Sequence, residues 1–392
     1  MGDFFMRKIC LIGGDKRNLE LAKFLLEDKE NNVSIFANEK MKEELTNKKI
    51  EDDELKNIIK KINNNVDLCN DKKRFYNNIL KIKEINNKNY INEYKSKIIE
   101  YKSLEEAIIK SDIVVTAVPI SKDKLTLTGE YTDLKISLED FFMKLKNVFL
   151  VSGMIPDKFS KVLTENNVKV LDLLKDESYI IFNAKITVEG IIKYLIENTE
   201  DTIFNSKILV LGYGRIGKIL CNVLKSFTEN IYCMPNSKEE LEWLKSNCVN
   251  YIFEENFNDF NDFNDLNKNL KKVDNIAKKE LHKFLGNFEI IINTIPRIIL
   301  NGKEISSLNK DVFILDVASK PGGINQENAR KNNIKFLWKL GIPAEISAKA
   351  CAKKIKNMIY ENNITYMLQW YYICIKNWKQ ILTFSIKTIK SK

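Results

Sequence analysis

The sequence predicts an α/β protein in which two domains carry parallel sheets, and three observations lead there. Short apolar runs of strand length recur along the chain and alternate with helically spaced segments. One run, Lys207-Ile208-Leu209-Val210-Leu211, passes directly into Gly212-Tyr213-Gly214-Arg215-Ile216-Gly217, a G-x-G-x-x-G turn followed by apolar residues at helical spacing. The chain, at 392 residues, is longer than one hydrophobic core usually serves. Strand, glycine turn and amphipathic helix together form the dinucleotide-binding fingerprint of a Rossmann unit. Gly212 permits the tight turn, Gly214 lets backbone approach a pyrophosphate, and Gly217 lets the helix sit close to the strand. The pyrophosphate is expected on the N–H groups and positive dipole end of that helix, with Arg215 and Ile216 in its first turn.

In chain order, the first domain is expected over residues 1–185. Residues 8–12 read as a strand, Gly13-Gly14-Asp15 as a turn, and 18–27 as a helix with Asn18 as its N-cap. Residues 33–37 give a second strand. This opening is Rossmann-like, but its turn lacks the G-x-G-x-x-G pattern, so the turn is read as contacting substrate rather than cofactor, with Asp15 as a simple turn residue the alternative reading. Residues 38–111 are rich in Lys, Asn, Ile and Glu, and read as a low-complexity insertion. Strands return at 113–118 and 148–151, each ending in a short turn of the kind found at the crevice edge of an open parallel sheet. A linker helix is expected over 186–200, with its clearest helical spacing at 187–198.

The second domain is expected over 201–344. After the glycine turn come a strand at 230–234 and a helix starting near Lys238. Residues 254–287 read as a second insertion, built on an Asn-Asp-Phe repeat and holding the only histidine, His282. Strands follow at 289–294, 312–317 and 335–337, ending respectively in Ile295-Pro296-Arg297, Ala318-Ser319-Lys320-Pro321-Gly322-Gly323 and Gly341-Ile342-Pro343. Residues 345–392 are expected to form a helix, from about 345 to 360, that returns to the first domain, and then a basic aromatic tail. That tail reads first as a packing or homo-oligomer interface helix and second as an amphipathic helix on a membrane surface.

The net charge is +10, and the eight lysines and single acid from Lys353 onward account for +7 of it. The excess is thus terminal rather than spread along a folded groove, which argues against nucleic-acid binding. Seven cysteines without a Cys-x-x-Cys pair suit reduced thiols in a cytoplasmic protein, and the first eight residues leave no room for a signal peptide before the first strand. No cluster has metal-ligand spacing, so no metal is expected. His282 lies in a low-complexity insertion and reads as an exposed bystander, which argues against the histidine–carboxylate chemistry of hydroxy-acid dehydrogenases.

The cofactor reading rests on the end of the 230–234 strand. An acid there would bind the ribose 2′-OH of NAD, but the residues are Asn236, Ser237 and Lys238, donors and a cation suited to a 2′-phosphate. NADP is therefore expected, bound by Gly212, Gly214, Arg215, Ile216, Gly217, Asn236, Ser237 and Lys238. Thr294, Ile295, Pro296 and Ala318 are expected to border it at neighbouring strand ends. Arg17, Arg297, Lys320 and Lys349 stand at strand ends and helix starts, as does Glu189 on the linker helix. Such a set suits a carboxylate-bearing small molecule.

The order of these motifs resembles the A subunit of bacterial dipicolinate synthase. The matching pieces are Ile12-Gly13-Gly14-Asp15, Thr187-Val188-Glu189-Gly190, Leu211-Gly212-Tyr213-Gly214-Arg215-Ile216-Gly217, Asn293-Thr294-Ile295-Pro296 and Leu315-Asp316-Val317-Ala318-Ser319-Lys320-Pro321-Gly322-Gly323. Where the family has Gly-Leu-Pro-Gly and then Pro-Lys-Thr-Ala-Gly, this chain has Gly341-Ile342-Pro343-Ala344 and Ala348-Lys349-Ala350-Cys351-Ala352. The lysine is kept; a threonine hydroxyl and two glycines are replaced. The resemblance implies an NADP-dependent oxidation of dihydrodipicolinate to dipicolinate in the mother cell of a sporulating bacterium. It also implies a partner, a flavodoxin-like flavoprotein B subunit. On that reading Arg17, Lys320 and Lys349 clamp carboxylates, Glu189 accepts a proton, and Asp15 borders the substrate. A non-catalytic NADP-binding sensor or scaffold, and a dehydrogenase of another small dicarboxylate, are the competing expectations.

Overall fold

The computed structural model describes residues 6–46, 98–247, 249–253, 274–275 and 281–362. The Asn-Asp-Phe repeat, most of the first low-complexity span and the basic aromatic tail lie outside the described residues. The chain divides into two compact units, Met1–Glu177 with Ala348–Lys392, and Ser178–Ser347.

In unit 1 the strands β1 (Arg7–Ile12), β2 (Asn31–Phe36), β3 (Ile99–Glu100), β4 (Ile113–Val115), β5 (Phe149–Ser152) and β6 (Lys169–Asp172) form a parallel sheet in the order β3-β2-β1-β4-β5-β6. Helices α1 (Lys16–Leu26), α2 (Glu39–Thr46), α3 (Leu104–Ile109), α4 (Leu138–Lys144) and α5 (Ser160–Glu165) connect them. Two sequence expectations shift here. Helix α1 begins two residues earlier than expected: Asp15, not Asn18, is the N-cap, and Asn18 returns a side-chain bond to the cap backbone in a capping box. The span read as one insertion, 38–111, contains α2, β3 and α3. Strand β3 is two exposed residues on the sheet edge, too short to give a periodic signal.

Helix α6 (Glu177–Asn198) carries the chain into unit 2 and starts well before the predicted linker helix, because Tyr179 and Ala184 extend its buried side back toward its start. Unit 2 then supplies α7 (Arg215–Leu224), α8 (Lys238–Ser246), α9 (His282–Leu285), α10 (Gly302–Ser306) and α11 (Gln326–Lys331). Its strands β7 (Ile208–Leu211), β8 (Ile231–Met234), β9 (Asn250–Phe253), β10 (Asp274–Asn275), β11 (Ile290–Asn293), β12 (Phe313–Asp316) and β13 (Lys335–Trp338) lie parallel in the order β10-β9-β8-β7-β11-β12-β13. The run Ile208-Leu209-Val210-Leu211 is buried on both sheet faces, as a covered parallel strand requires. Ile208 and Val210 enter one apolar core with Leu220 and Leu224 of α7, while Leu209 and Leu211 enter the opposite core with Leu285 and Ile314. The second predicted insertion contains β10 and α9, whose first residue His282 is half-buried rather than fully exposed.

A last helix, α12, spans 342–362 and passes from unit 2 into unit 1 between residues 347 and 348. Cys351, Ala352, Ile355, Met358 and Ile359 form its buried stripe at helical spacing. Its end is tied to unit 1 through side chains. Lys356 Nζ donates to the carbonyl of Phe24 (2.8 Å), and the Tyr360 hydroxyl donates to Asp28 Oδ2 (2.7 Å) while accepting from Asn31 Nδ2 (2.7 Å). The Arg7 guanidinium lies over the Tyr360 ring, 4.3 Å from its centroid. The expected return of the C-terminal helix to the first unit is thus observed.

A candidate dinucleotide site in unit 2

In unit 2 the strand order reverses between β7 and β11, the position where open α/β sheets leave a crevice at their carboxyl ends. The glycine turn leaves β7 at that point. Gly212 has φ +97°, and a Cβ added to Gly217 would fall on the carbonyl oxygen of Gly212, so α7 reaches the strand only because residue 217 has no side chain. Gly214 is the N-cap of α7 and offers no side-chain cap, which leaves the dipole end of the helix to an outside anion. From β11, Thr294 Oγ1 donates to the carbonyl of Leu211 (2.8 Å), and Thr294 with Ile295 fills the space beside Gly212. A cavity of about 260 Å³ opens here, lined by Gly214, Arg215 and Ile216 of the turn, by Thr294, and by Ile180, Asn183, Ala184 and Thr187 of α6. Asn183 Oδ1 is buried without a hydrogen-bond partner among the described residues. A cradle that a Cβ would fill, an uncapped helix end and an orphaned acceptor in the cavity wall together fit a dinucleotide.

Farther along the same edge, Ser237 caps α8 by accepting from the Glu240 N–H (3.2 Å). The Glu240 carboxylate turns back over the end of β8: its Oε2 accepts from the backbone N–H of Tyr213 (3.0 Å) and of Asn236 (2.7 Å). The Arg297 guanidinium donates to Asn236 Oδ1 (2.7 Å), and Lys238 is exposed at the start of α8. Sequence reasoning read this corner as lacking an acid because it looked at the strand end alone. The Ser-x-x-Glu spacing of Ser237 and Glu240, a helix-capping signature, is the signal that marks the carboxylate. Beneath the turn, burial pushes the Tyr213 hydroxyl up to about 12, and burial also raises the Cys233 thiol well above its ordinary range.

The loop after β12 is held by a buried carboxylate that sequence reasoning passed over. Asp316 accepts from Asn293 Nδ2 (2.8 Å), the Ala318 N–H (3.0 Å) and the Gly323 N–H (2.7 Å). A Cβ at Gly323 would fall on the Asn293 side chain, which accounts for its glycine. Trp338 Nε1 donates to the carbonyl of Ala318 (2.9 Å). Lys320 stands exposed on this loop, Pro296 is exposed after β11, and Glu189 is exposed on α6, outside the lining of the cavity.

Unit 1 treats its own reversal point, between β1 and β4, differently. Asp15 caps α1 with its carboxylate, and the loop that follows β4 closes over Gly14, whose N–H donates to the Thr128 carbonyl (2.9 Å). Arg17 is buried, and its guanidinium is taken up by Asp15 and by the carbonyl of Val118. The expected carboxylate clamp at Arg17 therefore meets a guanidinium already engaged inside the fold, because a buried Asp15 requires a paired cation. Cys351 of α12 lies within the field of this pair; burial pushes its thiol up to about 11, partly offset by the charge of Arg17. Lys349, two residues earlier, is exposed. At the next strand ends Thr116 Oγ1 and Ser152 Oγ share a hydrogen bond (2.5 Å), and Asp172 accepts from the N–H groups of Met154 and Ile155 (2.9 Å each). Among the described residues no group of His, Cys, Asp and Glu is arranged to hold a metal ion, and no helix is long and apolar enough to cross a membrane.

Two doubly wound parallel units, one with a complete and uncapped glycine turn, define a protein of Rossmann-like α/β architecture. Within that class the chain resembles the A subunit of dipicolinate synthase. Residues 82–174 match the family model that describes the N-terminal domain of that A subunit. The match starts inside the span read as insertion and so narrows it. The dipicolinate synthase A subunit of Bacillus subtilis (strain 168) is 26% identical over 210 residues, covering 54% of this chain and 63% of that protein, less than two thirds of its length. The crystal structure of the dipicolinate synthase A chain from Bacillus subtilis matches with a TM-score of 0.63 at 19% identity, covering 93% of this chain and 98% of that one. The crystal structure of the A subunit from Bacillus halodurans matches with a TM-score of 0.61 at 16% identity, covering 92% and 98%. These two structures show the shared fold.

Proposed function

We propose that this chain is an NADP-dependent oxidoreductase that converts dihydrodipicolinate to dipicolinate (pyridine-2,6-dicarboxylate) together with a flavodoxin-like flavoprotein B subunit. Its place would be the cytoplasm of the mother cell during sporulation. The observation that carries the reading is the uncapped glycine turn of unit 2, facing an orphaned acceptor at the strand-order reversal, in a chain that resembles this family. Gly212, Gly214 and Gly217 give the pyrophosphate its backbone approach, and Arg215 adds a cation at the helix start. Thr294, Ile295, Pro296 and Ala318 border the same edge. Asn236, Ser237, Lys238 and Arg297 offer donors and positive charge to a 2′-phosphate. Asn183 offers its acceptor to a carboxamide group.

When bound, a nicotinamide dinucleotide supplies the hydride acceptor for the oxidation. Lys320 and Lys349, both exposed, hold the two substrate carboxylates. Glu189 accepts the ring proton released as the product becomes aromatic, and Asp15, paired with Arg17, sets the shape of the first turn. Because aromatisation favours the product, orienting the ring is the main demand on these side chains.

Full-length protein incubated with a B subunit, dihydrodipicolinate and NADP should generate the near-ultraviolet absorbance of the pyridine dicarboxylate. Lys349→Ala should lower the rate by at least about tenfold, the weight of one lost charge-assisted contact to a substrate carboxylate. Absence of product with either nicotinamide cofactor, or an unchanged rate in Lys349→Ala, counts against the proposal.

A further inference from the structure

An NAD-type ribose corner takes its acid from the strand end, and none stands at the end of β8, yet a carboxylate occupies the corner all the same. Glu240 comes from the first turn of α8 and bridges two chain segments through one oxygen, accepting from Tyr213 inside the glycine turn and from Asn236 after β8. Its other oxygen, Oε1, lies 3.8 Å from where a Cβ on Gly214 would stand, so it is turned toward the glycine turn itself. The side chain of the same Asn236 is held by the Arg297 guanidinium, 2.7 Å from Asn236 Oδ1. One asparagine thus joins one fixed negative group, through its backbone, and one positive group, through its side chain.

We propose that Glu240 is a specificity-determining residue for the cofactor, restraining NADP(H) and favouring NAD(H), with Arg297 acting in the opposite sense. This rests on the dinucleotide reading of the glycine turn and deepens it. The chemistry follows from what each cofactor presents. The adenosine ribose of NAD carries two hydroxyls, and a carboxylate oxygen accepts from them. The same ribose in NADP carries a phosphate of about −1.5 to −2 charge, which gains from a guanidinium and is repelled by a carboxylate. Glu240 is held by two backbone N–H groups on separate segments, so turning it away from the corner would leave both donors without their acceptor. Arg297, by contrast, sits on an exposed loop and can give up an amide oxygen for a phosphate. Preference between the cofactors is then set by this pair rather than by Asn236, Ser237 and Lys238 alone.

The test is to measure the dissociation constants of NADPH and NADH with the full-length protein, Glu240→Gln and Arg297→Gln. In Glu240→Gln, NADPH should tighten relative to NADH by about tenfold or more, the effect of removing one like charge at close range. Retained NADH binding reports that the variant is folded. In Arg297→Gln the ratio should move the other way, with NADH binding held within about twofold. Equal changes for both cofactors in Glu240→Gln, leaving their ratio within about threefold, would overturn the assignment and reduce Glu240 to a helix cap. If the unsubstituted protein binds neither cofactor, the dinucleotide reading fails, a result distinct from an unshifted ratio.

Discussion

Replacing Asp316 with alanine should loosen unit 2 substantially, because three donors converge on that carboxylate. Asn293 Nδ2, the Ala318 N–H and the Gly323 N–H reach it at 2.8, 3.0 and 2.7 Å, and the residue is 2% exposed. A hydrogen bond to a charged acceptor contributes about 1.5–3 kcal/mol, and a buried donor left unmet costs about 1–3 kcal/mol. The alanine also relieves the cost of burying a carboxylate, and water can reach part of the vacated space. A net loss of about 3 kcal/mol follows, at the lower end of the range for breaking a buried charged network. With a urea slope of about 2 kcal/mol per molar, the midpoint should fall by about 1.5 M. Trp338 is the natural reporter, since its indole N–H bonds Ala318 on the same loop. Asp316→Asn keeps the shape and one acceptor oxygen, and should lose about half as much. A midpoint in Asp316→Ala within about 0.2 M of the parent would refute this account of the loop.

Three further outcomes follow from packing and burial elsewhere in the chain. Gly217→Ala places a methyl on the Gly212 carbonyl, so the turn must shift; calorimetric titration should show NADPH affinity reduced by more than about tenfold, and binding within about twofold of the parent would sink the fit argument. Gly190→Ala on α6 would drive a Cβ into the side chains of Ile342 and Ile346; despite a gain of about 1 kcal/mol in helix propensity, thermal melting should show a net loss of about 1–2 kcal/mol, and a stabilised variant would contradict the packing. Burial raises the Tyr360 hydroxyl to about 12, reinforced by Asp28 and opposed by the Asn31 bond. The folded value lies above the unfolded one of about 10, so this stability is complete below about pH 10 and is lost as pH rises toward about 12. The stability difference between the parent and Tyr360→Phe should therefore shrink by about 2 kcal/mol between about pH 9 and 12, and a pH-independent difference would argue against it.

The parts of the fold that could be read from sequence are those where a local pattern and its three-dimensional role coincide. Ile208 to Leu211 announce a strand because a covered parallel strand is apolar on both faces, and Gly212, Gly214 and Gly217 announce the turn because only that spacing solves it. Strand β3 was illegible, since two edge residues carry no period. The site was half legible for a related reason. Glycines declare backbone needs locally, whereas Asn293 meets Asp316 and Glu240 meets Tyr213 across strand ends, pairings that no local pattern announces. Arg17 shows the converse: a cation at a turn reads as a ligand group, but the same turn buries Asp15, and that carboxylate claims it first.

The path of the chain between the two units has a consequence for synthesis. Unit 2 is one continuous stretch, Ser178–Ser347, whereas unit 1 needs its opening segment and the far end of α12, where Lys356 and Tyr360 meet Phe24, Asp28 and Asn31. On the ribosome, all of unit 2 has therefore emerged before unit 1 can gain its final helix. The usual order, in which the N-terminal domain is finished first, is reversed for this chain, and the open face of α1 waits uncovered until the last helix arrives. A chain cut down to 178–347 is still one continuous polypeptide that contains the whole glycine turn, while shortening the chain ahead of residue 356 deprives unit 1 of its closing piece.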